Sequence, residues 1–392
     1  MLNKKTISLI ILFLIGIVFI SCSDEPSDLG ANLLTTDMID VLKLDSNRDS
    51  LYQISSSVKR VIPLGTSSRL LLGKYQNQTA YTLISFLFTL PDSIKQLVKK
   101  DSIEVVEAKA EMNLDYYFGQ KDGFFDFSVY EIQSNWTSAG FTADSFASLN
   151  YSSIDLSSNR VGSDTLYTFN INNNIIKNWL KNSADTSLAQ NRGVLLSPKP
   201  NSQKIIGFVA FDPNFARDTK IKVIYRKLGA YTDTLTALVL SDVSIVVGDN
   251  QIDSNYITIQ SSLVYNGILK FDLSKISRGS IVNYSQLTLT LDTLKSKFGS
   301  NYLDEIHAYI ITNSDSLKIN ESNVYPLKRK GNNYIGDISG MVRYWMANNP
   351  NFGILLKPAR ELVGMEKFVI KSSSFPIYDE RPKIEIIYTK RK

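Results

Sequence analysis

The sequence predicts an all-β protein with two tandem antiparallel β-sandwich domains of jelly-roll type, each carrying one short helix. After about residue 38, short alternating runs rich in Val, Ile, Thr, Tyr and Phe are separated by Asn, Asp, Ser and Gly. Alternation over roughly four to eight residues is typical of strands that bury one face. Two segments break this rhythm with helical spacing, and the whole pattern occurs twice. Many short strands with few helices favour a sandwich.

The first 21 residues have the pattern of a secretory signal. Lys4 and Lys5 precede an apolar run over residues 7–20, and the small Ser21 follows it. This run is shorter than the roughly 20 residues that a helix needs to span a bilayer. The pattern predicts a signal peptide over residues 1–21, with an uncleaved anchor helix as the alternative.

Cys22 is the single cysteine of the chain, so no disulfide can form within it. The sequence "ISC" behind an apolar run resembles the lipobox of bacterial lipoproteins, although Phe19 stands where Leu is commonest. The resemblance implies that Cys22 becomes an acylated N-terminus. One acyl chain binds a membrane only marginally and two anchor it stably, so three would hold the protein firmly. The membrane is therefore the first expected partner.

Residues 22–37 are polar, contain Pro26 and Gly30, and are predicted to be an acidic tether. In Bacteroidota-type lipoproteins, acidic residues directly after the acylated cysteine resemble a signal for the outer face of the outer membrane. The sequence "CSDE" fits that pattern and implies a lipid-anchored protein of the outer membrane that faces the cell surface. A solvated linker without such a signal is the alternative.

The remaining chain contains an internal repeat with a period of about 165 residues, which is too long for a solenoid. The halves join near residues 227–234, so we expect one sandwich domain over residues 38–228 and another over residues 229–392, each with its own core. The matching positions are Phe86 and Phe271, Trp179 and Trp345, Gly193 and Gly353, and Tyr225 and Tyr388.

The second half also resembles a known domain family. Its order of "ILKFDLSKI", "DISGMVRYW", "GILLK" and "RPKIEIIY" is similar to the DNRLRE-type β-sandwich domain, which is related to carbohydrate-binding module family 96. In the first half, "FLFTLP" replaces "FDLS". The whole chain further resembles a Bacteroidota-type family of uncharacterised surface lipoproteins through "PSDLG" (26–30) and "LLGKY" (71–75). These likenesses imply fold and location, and hardly constrain function.

Few residues suggest catalysis. His307 is the only histidine, which excludes His-rich metal sites, and no phosphate-cradling loop is present. It lies in an alternating run, where a strand histidine with a partner is expected rather than a catalytic one. The formal charge of +5 is spread out, with clusters only at residues 328–330 and 390–392. Nucleic-acid binding requires a concentrated basic stripe and is not expected. The sequence therefore predicts no enzyme activity, no cofactor and no metal.

Two aromatic stretches could bind sugars, because apolar sugar faces stack on aromatic rings while hydroxyls form hydrogen bonds. Residues 115–127 contribute Tyr116, Tyr117 and Phe124 as candidates, and residues 133–146 contribute Trp136. Core or loop-stapling roles are the leading interpretation of these side chains, with sugar binding as the alternative, and core roles are expected for Trp179 and Trp345.

Three functions remain open on this basis. The leading hypothesis is a non-catalytic surface protein that binds glycan or another cell-envelope component, including an envelope protein. The second is a structural spacer at the outer membrane that binds no small ligand. The third is a polysaccharide-active enzyme, either a hydrolase or a lyase that uses Tyr and Lys in place of His.

Overall fold

The computed structural model describes residues 39–65, 67–188, 190–210, 216–227 and 229–391. The predicted signal peptide, Cys22 and the predicted tether lie outside these residues. The described chain is mostly β, with two large sheets, and the prediction of an all-β, sandwich-like fold is confirmed.

All named strand pairs are antiparallel. The chain begins with β1 (Ile39–Asp45) and β2 (Gln53–Lys59). The first repeat continues with β3 (Arg69–Tyr75), β4 (Gln78–Phe88), α1 (Asp92–Lys99), β5 (Ile103–Gly119), β6 (Phe127–Glu131), α2 (Ala143–Ala147), β7 (Ser157–Gly162), β8 (Leu166–Ile171), α3 (Asn173–Ala184), β9 (Val194–Pro198), β10 (Lys204–Val209) and β11 (Lys220–Lys227).

The second repeat follows the same order. It comprises β12 (Thr232–Val247), β13 (Tyr256–Gln260), β14 (Tyr265–Phe271), β15 (Ile281–Thr290), β16 (Glu305–Asn313), β17 (Lys318–Ile319), β18 (Tyr325–Lys330), β19 (Asn333–Asp337), α4 (Ser339–Met346), β20 (Ile354–Pro358), β21 (Lys367–Lys371) and β22 (Lys383–Arg391). The helices α3 and α4 are the two that the sequence predicts. The expectation of one helix in each half is wrong for the first half, where α1 and α2 are additional.

Each repeat surrounds its own hydrophobic core. Trp179 on α3 is 3% exposed and stacks on Phe86, with ring centroids 6.3 Å apart. Trp345 on α4 is 6% exposed and belongs to the second core together with Phe271. Both indoles therefore occupy the core positions that their recurrence in the sequence predicts.

A matching asparagine and glycine hold equivalent corners of the two repeats. The side-chain amide of Asn191 donates to a β4 carbonyl at 2.9 Å and accepts from the Gly193 amide at 2.9 Å. Asn351 makes the same two bonds to β14 and to Gly353, each at 3.0 Å. Both glycines have positive φ, and a Cβ on either would approach a backbone oxygen within 2.1 or 2.8 Å. The duplication therefore extends to individual hydrogen bonds.

The first strands of the two repeats are exchanged. β12 pairs with β11 through its first half and with β4 through its second half. In the second sheet the same two places are taken by β1, which pairs with β22, and β2, which pairs with β14. In chain order β1 and β2 open the first repeat and β12 opens the second. Each repeat thus completes its sheet with the opening strand of the other.

Because of this exchange, the division of the chain into two sheets does not follow the predicted domain boundary between residues 228 and 229. Residues 39–59 pair within the second sheet, although the prediction assigns them to the first domain. Residues 232–247 pair within the first sheet, although the prediction assigns them to the second. Alternation identifies a strand and its buried face, but it does not identify the partner strand.

We predict that residues 229–392 do not fold stably alone, contrary to the expectation of two self-contained halves. Without β1 and β2, the edges of β22 and β14 are unpaired, and β12 has lost both of its partners. A peptide of residues 39–59 should restore a cooperative urea transition, and a scrambled peptide of the same composition should not. A cooperative transition of the fragment without peptide would contradict the role of the exchange.

Candidate functional site

Tyr116 lies in the junction between the repeats. Its side chain is fully buried, and its hydroxyl oxygen accepts a hydrogen bond from the Met365 amide at 2.8 Å. The Arg69 guanidinium lies 4.5 Å from the centre of its ring. The proposal of Tyr116 as a stacking platform for sugar is therefore corrected, because no face of the ring is open to a ligand.

The other three predicted residues occupy separate places. Tyr117 is half-buried and lines a cavity of about 500 Å³. Its backbone N–H donates to Oγ of Ser300, and its carbonyl accepts from the Ser300 amide, both at 2.9 Å. Phe124 is 49% exposed, and its backbone is held by Gln203. Trp136 lines a different cavity of about 330 Å³. The structure does not gather the predicted residues into one site.

Trp136 is half-buried and fixed on both its polar and its apolar side. The indole N–H donates to the Arg192 carbonyl at 2.7 Å, and the ring meets Phe141 edge to face at 6.2 Å. It packs against a small cluster beside the first core. This geometry matches a residue that staples its loop.

A larger groove, with a volume of about 1030 Å³, lies beside α4 at one end of the second sheet. Its apolar wall consists of Trp345, Phe271 and the exposed side chains of Tyr52 and Ile54, which are 70% and 46% exposed. Its polar lining is Lys270, Asp272, Arg278, Asn348 and Asn349.

The groove exists because the second repeat lacks a counterpart of α1. In the first repeat, Ala108 lies 22 positions after Phe86, whereas in the second repeat the matching Ser285 lies 14 positions after Phe271. The difference of eight equals the length of α1, which has 8 residues. The buried side chains of α1 join the same core cluster as Trp179. In the second repeat, no helix covers the equivalent end, and Trp345 borders open space.

One buried polar atom at this groove has no partner. Nε1 of Trp345 makes no hydrogen bond in the part of the chain that the structure describes. A buried donor without a partner costs about 1–3 kcal/mol, so such groups in native proteins call for an explanation. Because the atom itself is buried, a ligand in the groove could reach it only after the surrounding side chains shift.

The groove also presents charge. Hydrogen bonds from the backbone and side chain of Ser274, together with the nearby Lys270, lower the pKa of Asp272. Asp272 is therefore ionised at neutral pH and can accept hydrogen bonds from hydroxyl groups. Arg278 is exposed and makes no hydrogen bond or ion pair with any described residue. Donors and acceptors thus surround the aromatic wall.

Other chemistry is sparse among the described residues. His307 lies on β16 with its Nε2 atom 2.8 Å from Glu305, as expected for a strand histidine with a partner. Within residues 39–391, apart from the gaps given above, no group of three or more His, Cys, Asp or Glu side chains could hold a metal ion. No helix in the same residues has the length and apolarity to cross a membrane.

The groove residues Tyr52, Lys270, Asp272 and Arg278 are not among the residues that the sequence predicts as a site. The sequence signal that points to them is the eight-residue difference between the repeats after Phe86 and Phe271. Compared with family models, curated proteins and solved structures, the chain matches none of them.

We predict that alanine variants of the tryptophans lose stability to two different extents. Trp179→Ala and Trp345→Ala remove buried indoles and should each lower the free energy of unfolding by about 3–5 kcal/mol. Trp136→Ala loses one hydrogen bond and partial packing, and should cost about 2 kcal/mol. Urea unfolding of the three variants under identical conditions gives these values. A loss at Trp136 as large as at Trp179 would place it in the core.

Proposed function

We propose that the chain is a non-catalytic, lipid-anchored protein of the outer membrane that binds glycan in the groove beside Trp345. The observation that carries this proposal is the groove itself, which one repeat opens and the other fills with α1. A structural spacer has no need of such an opening.

The chemistry of the groove fits a sugar better than an apolar ligand. The exposed Tyr52 ring offers a face for the apolar side of a pyranose. Asp272, Arg278 and Asn348 can pair with hydroxyls around that face. A concave site with an aromatic wall and a few convergent polar groups is the usual form of a small-molecule site.

The position of the groove also supports attachment through Cys22. The predicted tether joins the described chain at Ile39, where β1 begins, and β1 has 7 residues. At about 3.3 Å per residue the strand carries the chain about 20 Å from that point. Tyr52 follows the next turn, so the groove opens at the end of β1 away from the attachment point.

The groove is tested by Tyr52→Ala, with Tyr231→Ala as control because Tyr231 is 45% exposed at a distant turn. On a panel of immobilised neutral and acidic glycans, Tyr52→Ala should weaken retention about tenfold, as expected for the loss of about 1.4 kcal/mol of stacking. Tyr231→Ala should retain wild-type binding. Equal effects of the two variants would remove the groove as the site, and a wild-type chain that binds no glycan would favour the spacer.

The anchor is tested by Cys22→Ala in the full precursor. Without the thiol that receives the lipid, the signal should stay uncut and the protein should carry no acyl chain, as read by intact mass. Ser21→Ala keeps a small residue before the cut and should be processed normally. A Cys22→Ala protein that is cleaved and still partitions into detergent would contradict the lipoprotein assignment.

A further inference from the structure

A second cavity, of about 680 Å³, lies between the two repeats. The turn at residues 76–78 of the first repeat forms one wall, and the segment over residues 249–253 crosses beside it. The other wall comes from the second repeat and contains three lysines, Lys295, Lys297 and Lys367. We propose that this cleft binds an oxyanion, a carboxylate or a sulfate, on a residue of an acidic glycan.

Two of the lysines face each other across a strand pair. Lys297 and Lys367 each donate a backbone N–H to the carbonyl of the other, at 2.8 Å in both directions. Residues opposite one another in such a pair project to the same face with Cα atoms about 5.5 Å apart. The backbone pairing therefore places two lysine side chains on the same side of the cleft.

The charge of this pair is not neutralised by the described residues. Nζ of Lys297 lies 2.5 Å from the hydroxyl of Tyr75, which is a neutral partner. Lys367 makes no ion pair with any described residue. Of the three lysines, Lys295 alone has a carboxylate partner there, Asp253 at 3.5 Å.

The second carboxylate that lines the cleft is already engaged elsewhere. Asp249 accepts a hydrogen bond from the Tyr265 hydroxyl and lies 3.8 Å from Lys59. The three lysines of the cleft thus face one available carboxylate, and an excess of positive charge remains. The pKa of the Lys367 ammonium is lowered, first by burial and then by the positive charge of Lys295. A bound anion would counteract the repulsion from Lys295 and offset the cost of burial, and would therefore raise this pKa.

The remaining lining is suited to a sugar. Tyr75 and Tyr256 contribute aromatic rings, with Lys295 over the Tyr256 ring at 3.8 Å. Buried amides join the two repeats behind them, because Gln260 donates to Gln78 at 3.1 Å and accepts from Asn250 at 2.6 Å. These bonds hold the walls in place without a ligand. The assignment of the anion to a glycan rests on the proposed function, whereas the oxyanion site rests on the lysines alone.

The test uses the full chain and three immobilised polymers at about 0.15 M salt. Dextran sulfate carries sulfate, polygalacturonate carries carboxylate, and dextran is neutral. Wild type should be retained by at least one anionic polymer more strongly than by dextran, and the stronger of the two identifies the group. The double variant Lys297→Met and Lys367→Met should weaken that retention about tenfold or more.

The matched control is the double variant Lys328→Met and Lys330→Met on β18, where both side chains are exposed. It removes the same charge and should change retention less than about twofold. The cleft variant should also keep the unfolding temperature of wild type, because the bridge between these residues is made by backbone atoms that the substitutions leave in place. That result would show that weaker retention does not come from unfolding.

The outcomes separate the cleft from the groove. An equal loss of retention in the two double variants would overturn the proposal that the cleft binds an oxyanion. The proposal would also be overturned if wild type preferred neither anionic polymer to dextran. Retention that depends on Tyr52 and not on Lys297 and Lys367 would overturn it while leaving the proposed function intact. Anion retention that is lost in the cleft variant and unchanged in Tyr52→Ala would support the cleft even if the groove proves inactive.

Discussion

The arrangement of the whole molecule depends on the exchange of opening strands between the repeats. β1 and β2 complete the second sheet, and β12 completes the first, so the chain crosses the junction once between β2 and β3 and once between β12 and β13. Each repeat depends on strands that are covalently part of the other. The repeats therefore cannot separate without breaking strand pairs, and cavities between them have fixed walls.

The junction contains polar groups that would be costly in a loose interface. Arg69 pairs with Asp115 at 2.9 Å in the first repeat and donates to the Val363 carbonyl of the second at 2.7 Å. Close by, burial raises the pKa of Glu366. Buried charges contribute stability only when their hydrogen bonds are well formed, and removing one partner is strongly destabilising. A junction held by exchanged strands provides the fixed geometry that these bonds require.

The sequence predicts much of this fold, but it does not predict which strands pair with each other. Alternation identifies the strands, and recurrence places Trp179 and Trp345 in the cores, because both signals are local or repeated. The exchange escapes prediction because β1 and β12 would show the same alternation with either set of partners. The candidate binding sites could not be predicted from the sequence for a related reason. Candidate aromatics such as Tyr116 cluster in sequence but are divided between junction and surface, whereas Lys297 and Lys367 meet only through a long-range strand pair.

The exchange also determines which residues border the proposed groove. Tyr52 directly precedes β2 and Ile54 lies in it, and both border the second repeat, whereas Leu238 of β12 occupies the place of Tyr52 in the first repeat. If each repeat used its own opening strand, the groove beside Trp345 would receive Leu238 in place of Tyr52, and a leucine offers no aromatic face to a sugar. The loss of α1 opens the groove, but the exchange supplies its ring. The two repeats thus have matching cores but different residues at the ends of their sheets, and both features follow from a duplication whose opening strands are exchanged.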